Sequence, residues 1–274
     1  MTTTRRPRRV TLAPATVSEA DGVRYLHLGT PWVQGAMRLR KPLAIELEYV
    51  QRMLAWMLLR PLDAAGEGAG DGAGDGASVG SAPGHAVQLG LGAGSITRFC
   101  HAVLHLRTTA VEINPEVIKA CRAWFRLPHE AAGLEVIEMD AALYVADPRR
   151  AGSADVLCVD LYDHDAASPV LDSEDFYRDC RRLLAPDGVM SVNLFGRDAS
   201  FERSAQRIAA AFGAGRVLSL RPTREGNTVV LASTAAGWPE RAALQARADA
   251  IEARFGLPAR KWLRMIRPLH VPPE

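Results

Sequence analysis

The stretch Ala86 to Glu112, AVQLGLGAGSITRFCHAVLHLRTTAVE, constrains the fold more than any other part of the chain. Val87, Leu89 and Leu91 make a short apolar run, which predicts a buried strand. Gly90, Gly92 and Gly94 follow at once and allow a tight turn and close backbone approach. Ile96 to Val103 then has helical periodicity, and a second apolar run, Thr108 to Val111, ends in Glu112. Strand, glycine turn, helix, strand and acid together predict a right-handed βαβ crossover. Its terminal carboxylate stands roughly twenty residues past the glycines, the offset at which such a unit presents an acid to ribose hydroxyls.

The remainder of the chain repeats that alternation. Asn114-Pro115 opens a helix, with proline in its first turn. Strands are expected at Leu134 to Met139, Ala154 to Val159 and Val189 to Leu194, the last after a Pro186-Asp187-Gly188 turn. Helices are expected at Phe176 to Leu184 and Phe201 to Phe212. Arg216 to Leu220 and Asn227 to Ala232 read as a closing pair of strands, and Trp238 to Phe255 as a terminal amphipathic helix. This order predicts an α/β, Rossmann-like, mostly parallel sheet with helices on both faces and an antiparallel edge.

Two segments precede that body. Thr16 to Leu28 alternates around Asp21-Gly22 and predicts a small N-terminal β-hairpin, which needs the main body or another subunit to cover it. Leu43, Leu47, Val50, Leu54 and Met57 mark one face of a helix ended by Pro61. Tyr49, Gln51 and Arg52 include polar groups on that helix that could face a ligand. Residues 1–42 are thus read as a basic tail plus hairpin, and 43–274 as a nucleoside-binding α/β domain. Residues 63–84 form a glycine-, alanine- and aspartate-rich loop within it, leaving the sheet at the end away from the binding crevice.

Composition narrows the function. The 274 residues carry 33 basic and 31 acidic side chains, a net charge of +2, too balanced for a surface-wide nucleic-acid footprint. Cys100, Cys121, Cys158 and Cys180 lack metal-ligand spacing, so reduced thiols, a cytoplasmic location and no metal site are expected. The arginine-rich start lacks the apolar segment of a secretory signal, and no run is long enough to span a membrane.

Three successive strands finish in an acid: Glu112, Asp140 and Asp160. Ligands of open α/β sheets bind beyond the carboxyl ends of strands, so these groups should line one crevice above the glycine turn. Beyond Asp160 the chain reads DLYDHDAASP, adding Asp163 and Asp165. So many like charges favour a cationic ligand such as a sulfonium or an ammonium.

LGLGAGSITRF, AVEINPEVIKACR, EMDAALYV, VLCVDLYDHDA and EDFYRDCRRLLAPDGVMSVNLF, with YLHLGTPWVQGAMRL and YVQRM upstream, resemble in order and spacing the motifs of the spermidine synthase family, the polyamine aminopropyltransferases. The resemblance covers about Tyr25 to Ala232. It implies decarboxylated S-adenosylmethionine as aminopropyl donor, a polyamine acceptor and methylthioadenosine as product. It also implies roles: Asp160 and Asp163 as catalytic acids, and Gln51, Gly90, Gly92, Gly94, Glu112, Ile113, Asp140 and Ala141 around the nucleoside. Tyr162 and Tyr177 would lie on the acceptor side, and the protein would be a homodimer. The pattern departs from the family at Ala93, which stands where an aspartate usually meets the aminopropyl end, and at Arg52, which stands where an acid is usual. Leu161 and Tyr162 are bulkier than the usual serines. An S-adenosylmethionine-dependent methyltransferase and a non-catalytic nucleoside-binding homologue are the alternatives.

Overall fold

A computed structural model describes residues 12–61, 84–129, 131–161, 171, 173–195 and 199–269. The low-complexity loop at 63–84 therefore lies almost wholly outside the described residues, as do Tyr162, Asp163 and Asp165. Its described flanks, Pro61 and Gly84, adjoin the amino end of the first central strand.

The N-terminal element is larger than a hairpin. Strands β1 (Ala15–Ala20) and β2 (Val23–Leu28) pair antiparallel around Asp21-Gly22, both residues with positive φ. A third strand, β3 (Gly35–Arg38), adds to β2. GAMR is too short, and begins with too permissive a residue, for its alternation to stand out in sequence. Leu26 and Met37 are fully buried from this sheet against the chain's own body, packing with Leu91, Ala93, Val117, Cys121 and Phe125.

The helix expected after Pro42 is two short ones, α1 (Glu48–Met53) and α2 (Trp56–Leu59). Between them Leu54 and Ala55 bond back three residues, to Gln51 and Arg52, which tightens the coil and turns the second helix. Leu43 remains exposed outside both.

The main sheet contains β4 (His85–Leu89), β5 (Arg107–Glu112), β6 (Leu134–Glu138), β7 (Ala154–Val159), β8 (Leu184–Phe195), β9 (Val217–Ser219), β10 (Asn227–Ser233) and β11 (Arg267–Pro268), in the order β11-β9-β10-β8-β7-β4-β5-β6. β6, β5, β4, β7 and β8 are parallel, and β10 runs antiparallel to both β8 and β9, which gives the expected antiparallel edge. The Pro186-Asp187-Gly188 turn exists as an irregularity inside β8, whose pairing shifts from Ala154↔Leu184 to Val156↔Val189 across it. β11 and the helix before it were not anticipated. Their residues are too few for a periodic signal.

Helices α5 (Ala141–Ala146), α6 (Glu174–Leu183) and α7 (Ala199–Phe212) pack one face of the sheet around Val87, Leu89, Leu157 and Val159. α1, α2, α8 (Arg241–Phe255) and α9 (Ala259–Met265) cover the other around Ala86, Val156 and Cys158. Alternate residues of each central strand thus serve two cores, which is why these strands read as unbroken apolar runs. The chain builds β4, β5 and β6 in one direction and then crosses to place β7 on the other side of β4. That reversal opens a crevice above the carboxyl ends of β4 and β7.

Candidate active site

The glycine turn forms the floor of this crevice. Gly90 has φ +83° and bonds through its N–H to Val111 O at 2.8 Å. A Cβ there would lie 2.1 Å from the Asp160 carbonyl oxygen, so only glycine lets β4 and β7 end side by side. Gly92 (φ +51°) faces the Gln34 carbonyl, and Gly94 (φ +69°) begins helix α3 (Ser95–Arg98). The expected helix to Val103 continues instead as a wider turn over Phe99–Val103, in which Leu104 N–H bonds Phe99 O. Arg98, nearly fully buried, donates to the Ala93 carbonyl and to Pro42 O, pinning the turn from below. Burial lowers its pKa to about 10, so the guanidinium stays charged at neutral pH.

Glu112, at the end of β5, reaches across to the same turn. Its Oε2 accepts from Leu91 N–H at 2.8 Å and its Oε1 from Asn114 N–H at 2.9 Å. Burial raises its pKa, and the backbone donors of Leu91, Asn114 and Ile113 oppose that rise. Asn114 caps helix α4 (Pro115–Trp124) and donates through Nδ2 to Ala13 O, tying the N-terminal sheet to the crevice. Ile113 stands beside Glu112 with 42% of its surface exposed, an apolar group left open at the rim. β6 lies next to β5, and Met139 N–H bonds Glu112 O, which brings the following Asp140 to the same edge. Asp140 is exposed and caps α5, accepting from Ala142 N–H at 2.7 Å, with Ala141 buried behind it.

Asp160 follows β7, held by its N–H to Leu89 O at 2.9 Å. Asn193 Nδ2 donates to its Oδ1 at 3.0 Å, and Tyr49 Oη donates to its Oδ2 at 3.3 Å. Asn193 is itself buried on β8 and accepts at Oδ1 from Asn227 Nδ2 at 3.2 Å. That second bond fixes which edge of the Asn193 amide faces the carboxylate. Burial raises the Asp160 pKa to about 6, with the Asn193 and Tyr49 donors pulling the other way. A carboxylate so poised accepts a proton near neutral pH more readily than an ordinary aspartate.

The structure therefore brings Glu112 and Asp160 to the glycine turn, the first through Leu91 N–H and the second against Gly90, with Ile113, Asp140 and Ala141 along the same strand-end edge. Gln51 is half-buried on α1, and its Nε2 donates to Ile45 O at 2.8 Å. Tyr177, expected on the acceptor side, is fully buried in the core and packs edge-on against Phe176. Its side chain lies on the inner face of α6. Arg52 is also buried, paired with Glu48 at 2.7 Å and bonded to Arg221 O, so its charge serves the α1 packing. Asn193 was missed by sequence reasoning. Its one signal is an amide inside the mostly apolar run VMSVNLF, a residue type seldom buried without a partner. Among the described residues no group of three metal-ligating side chains occurs, and all four cysteines are free and buried.

The parallel sheet with its reversal at β4 and β7, its glycine turn and its acid-tipped strands place the chain among the methyltransferase-like α/β proteins. In agreement, a methyltransferase domain family matches residues 87–192. A probable spermidine synthase from Corynebacterium glutamicum has the same fold, with a TM-score of 0.66 at 19% identity over 95% of this chain and 94% of that one. A spermidine synthase solved with the transition-state analogue AdoDATO superposes with a TM-score of 0.56 at 17% identity, over 91% of this chain and 84% of that one. The polyamine aminopropyltransferase of Chromobacterium violaceum is 34% identical over 254 residues, 92% of this chain and 88% of that protein. The chain belongs to the polyamine aminopropyltransferase family, a family of transferases. No described helix is long and apolar enough to cross a membrane.

Proposed function

We propose that this protein transfers the aminopropyl group of decarboxylated S-adenosylmethionine to a small amine, with Asp160 as the proton acceptor. The observation that carries this reading is the Asp160 carboxylate, recessed at the switch point, bonded by Tyr49 and Asn193, with its pKa raised to about 6. In the reaction the amine nitrogen attacks the carbon next to sulfur, the new N–C bond forms as the C–S bond breaks, and the bonding electrons leave on sulfur as the neutral thioether. The proton released by the nitrogen passes to Asp160. Because a sulfonium leaves readily, holding nitrogen, carbon and sulfur in line supplies much of the acceleration.

Glu112 would accept the ribose hydroxyls on its remaining lone pairs while staying bonded to the glycine turn. Ile113 would cover one face of the adenine, and Asp140 with Ala141 would meet its edge. Gln51 is assigned to the nucleoside side and Tyr162 to the acceptor side, where Asp163 would be a second acid; Tyr162 and Asp163 lie outside the described residues. Ala93 is buried against Gly35, so it offers the charged end of the donor no anchor. The acids at Asp160 and Asp163 would then have to hold both cationic ends. The methyltransferase alternative rests on the fold alone, whereas the 34% identical relatives are aminopropyltransferases. A cytoplasmic homodimer is part of the same reading.

The test is a direct one. The purified protein is titrated calorimetrically with decarboxylated S-adenosylmethionine, S-adenosylmethionine and methylthioadenosine, and methylthioadenosine release is followed with diamine and monoamine acceptors. The reading expects preference for the decarboxylated donor and amine-dependent release. Tighter binding of S-adenosylmethionine, with methyl transfer to any acceptor, would replace it.

A further inference from the structure

A second cavity, of about 340 Å³, opens at the opposite edge of the sheet. It lies under the amino ends of β4, β5 and β6 and the short 3₁₀ turn Pro148–Arg150. β7 spans the sheet between the two sites, which sets Ser153 at the cavity roughly 20 Å from Asp160 at the crevice. The volume is at the lower end of that of small-molecule sites.

Its walls are cationic. Arg107, at the start of β5, is exposed and has no ion pair among the described residues. Arg150 sits over the Tyr144 ring, its Cζ 4.1 Å from the centroid, and its buried Nε makes no hydrogen bond but lies 3.5 Å from Asp147 Oδ2. The ring contact holds this guanidinium at the cavity wall, with Asp147 on its Nε side. Arg149 is held by Asp147 through contacts of 2.8 to 3.2 Å. His85 contributes no charge. Its Nδ1 meets the Ser153 carbonyl at 2.8 Å and so must carry the hydrogen, which leaves Nε2 to accept from Thr109 Oγ1 at 2.9 Å. Burial and the nearby Arg107 hold the imidazole below its ordinary pKa. The acids at this edge are Asp147, engaged with Arg149 and Arg150, Asp155, which accepts from His85 N–H and pairs with Arg60, and the exposed Glu135.

We propose that this cavity is a binding site for a phosphate group, free or carried on a small molecule, gripped by Arg107 and Arg150. The chemistry suits a phosphate because planar guanidinium groups present paired N–H donors to its oxygens. The site is separate from the crevice, and its existence does not depend on the transfer reaction.

The full chain is titrated calorimetrically at fixed ionic strength with inorganic phosphate, pyrophosphate and ribose 5-phosphate, each with and without saturating methylthioadenosine. Saturable one-to-one binding is expected, undisturbed by methylthioadenosine. It should weaken about tenfold or more in Arg107→Ala, whose exposed side chain leaves the fold intact by circular dichroism, and should tighten in Glu135→Gln. The tighter ligand among the free and esterified phosphates identifies the source. Absence of saturation by all three below about 10 mM, or equal affinity in Arg107→Ala, would overturn the proposal. Competition by methylthioadenosine would do so too, since it would place the anion in the crevice.

Discussion

Asp160 illustrates how a single residue can be set for proton transfer at a cost in stability. Its pKa is raised from 3.8 to about 6 by burial, so between those values the folded state holds a proton that the unfolded chain has released. Stability contributed at this site is therefore greatest below pH 4 and falls as pH rises to 6, by up to about 3 kcal/mol. Asp160→Asn keeps the size and can still meet Asn193 and Tyr49. We expect it to lower turnover by on the order of 10²- to 10⁴-fold while raising stability at pH 7 by about 1–3 kcal/mol, read from denaturant midpoints. If Asp160 is the base, kcat/KM for the wild type should fall as pH drops through about 6. Asn193→Leu removes a donor that favours the ionised form, so that acidic limb should move to higher pH. An unmoved limb would separate Asn193 from the titration. The neighbouring Glu112 is likewise raised by burial, but its carboxylate is held by backbone N–H groups of Leu91 and Asn114 where Asp160 is held by side chains.

At the scale of elements, the glycine turn is shaped by the chain around it. Gly90 yields to the Asp160 carbonyl, Gly92 to the Gln34 carbonyl and Gly94 to Arg98, so each missing Cβ makes room for protein. Gly90→Ala combines a positive φ with a 2.1 Å clash against backbone, which no side-chain movement can relieve. It should destabilise the protein by more than about 3 kcal/mol and shift the end of β7, with a large loss of activity. Thermal unfolding of this variant beside Gly152→Ala separates the two causes. Gly152 also has positive φ but nothing within 4 Å of a Cβ, so it should lose only about 1 kcal/mol.

On the scale of the whole molecule, the N-terminal sheet is the roof of the glycine turn. Gly35 packs so closely on Ala93 that an added Cβ would lie 2.5 Å from its nitrogen, and Ser95 Oγ donates to Ala36 O. Leu26 and Met37, fully buried beneath that roof, each contribute about 1.5–3 kcal/mol. Gly35→Leu should lift β3 from the turn, exposing this cluster to hydrogen exchange and raising KM for the donor several-fold, with the main sheet still protected. Loss of protection throughout would mean that the sheet and body unfold as one unit.

The parallel sheet, its antiparallel edge and the three acid-tipped strands were legible in the sequence because they rest on local signals: apolar runs of strand length, glycines at a turn, and caps such as Asn114-Pro115. The third N-terminal strand, the broken α1–α2 helix, β11 and α9 were not, because elements of two to seven residues carry too little periodicity to outweigh their surroundings. The same division holds at the site. Sequence placed Glu112, Asp140 and Asp160 at strand ends. Only the fold could bring Tyr49 to Asp160 across 111 positions, aim Asn193 at it through Asn227, and bury Tyr177 and Arg52. Strand ends are fixed by local pattern, but partners are fixed by which distant surfaces the two cores press together, and no spacing along the chain encodes that.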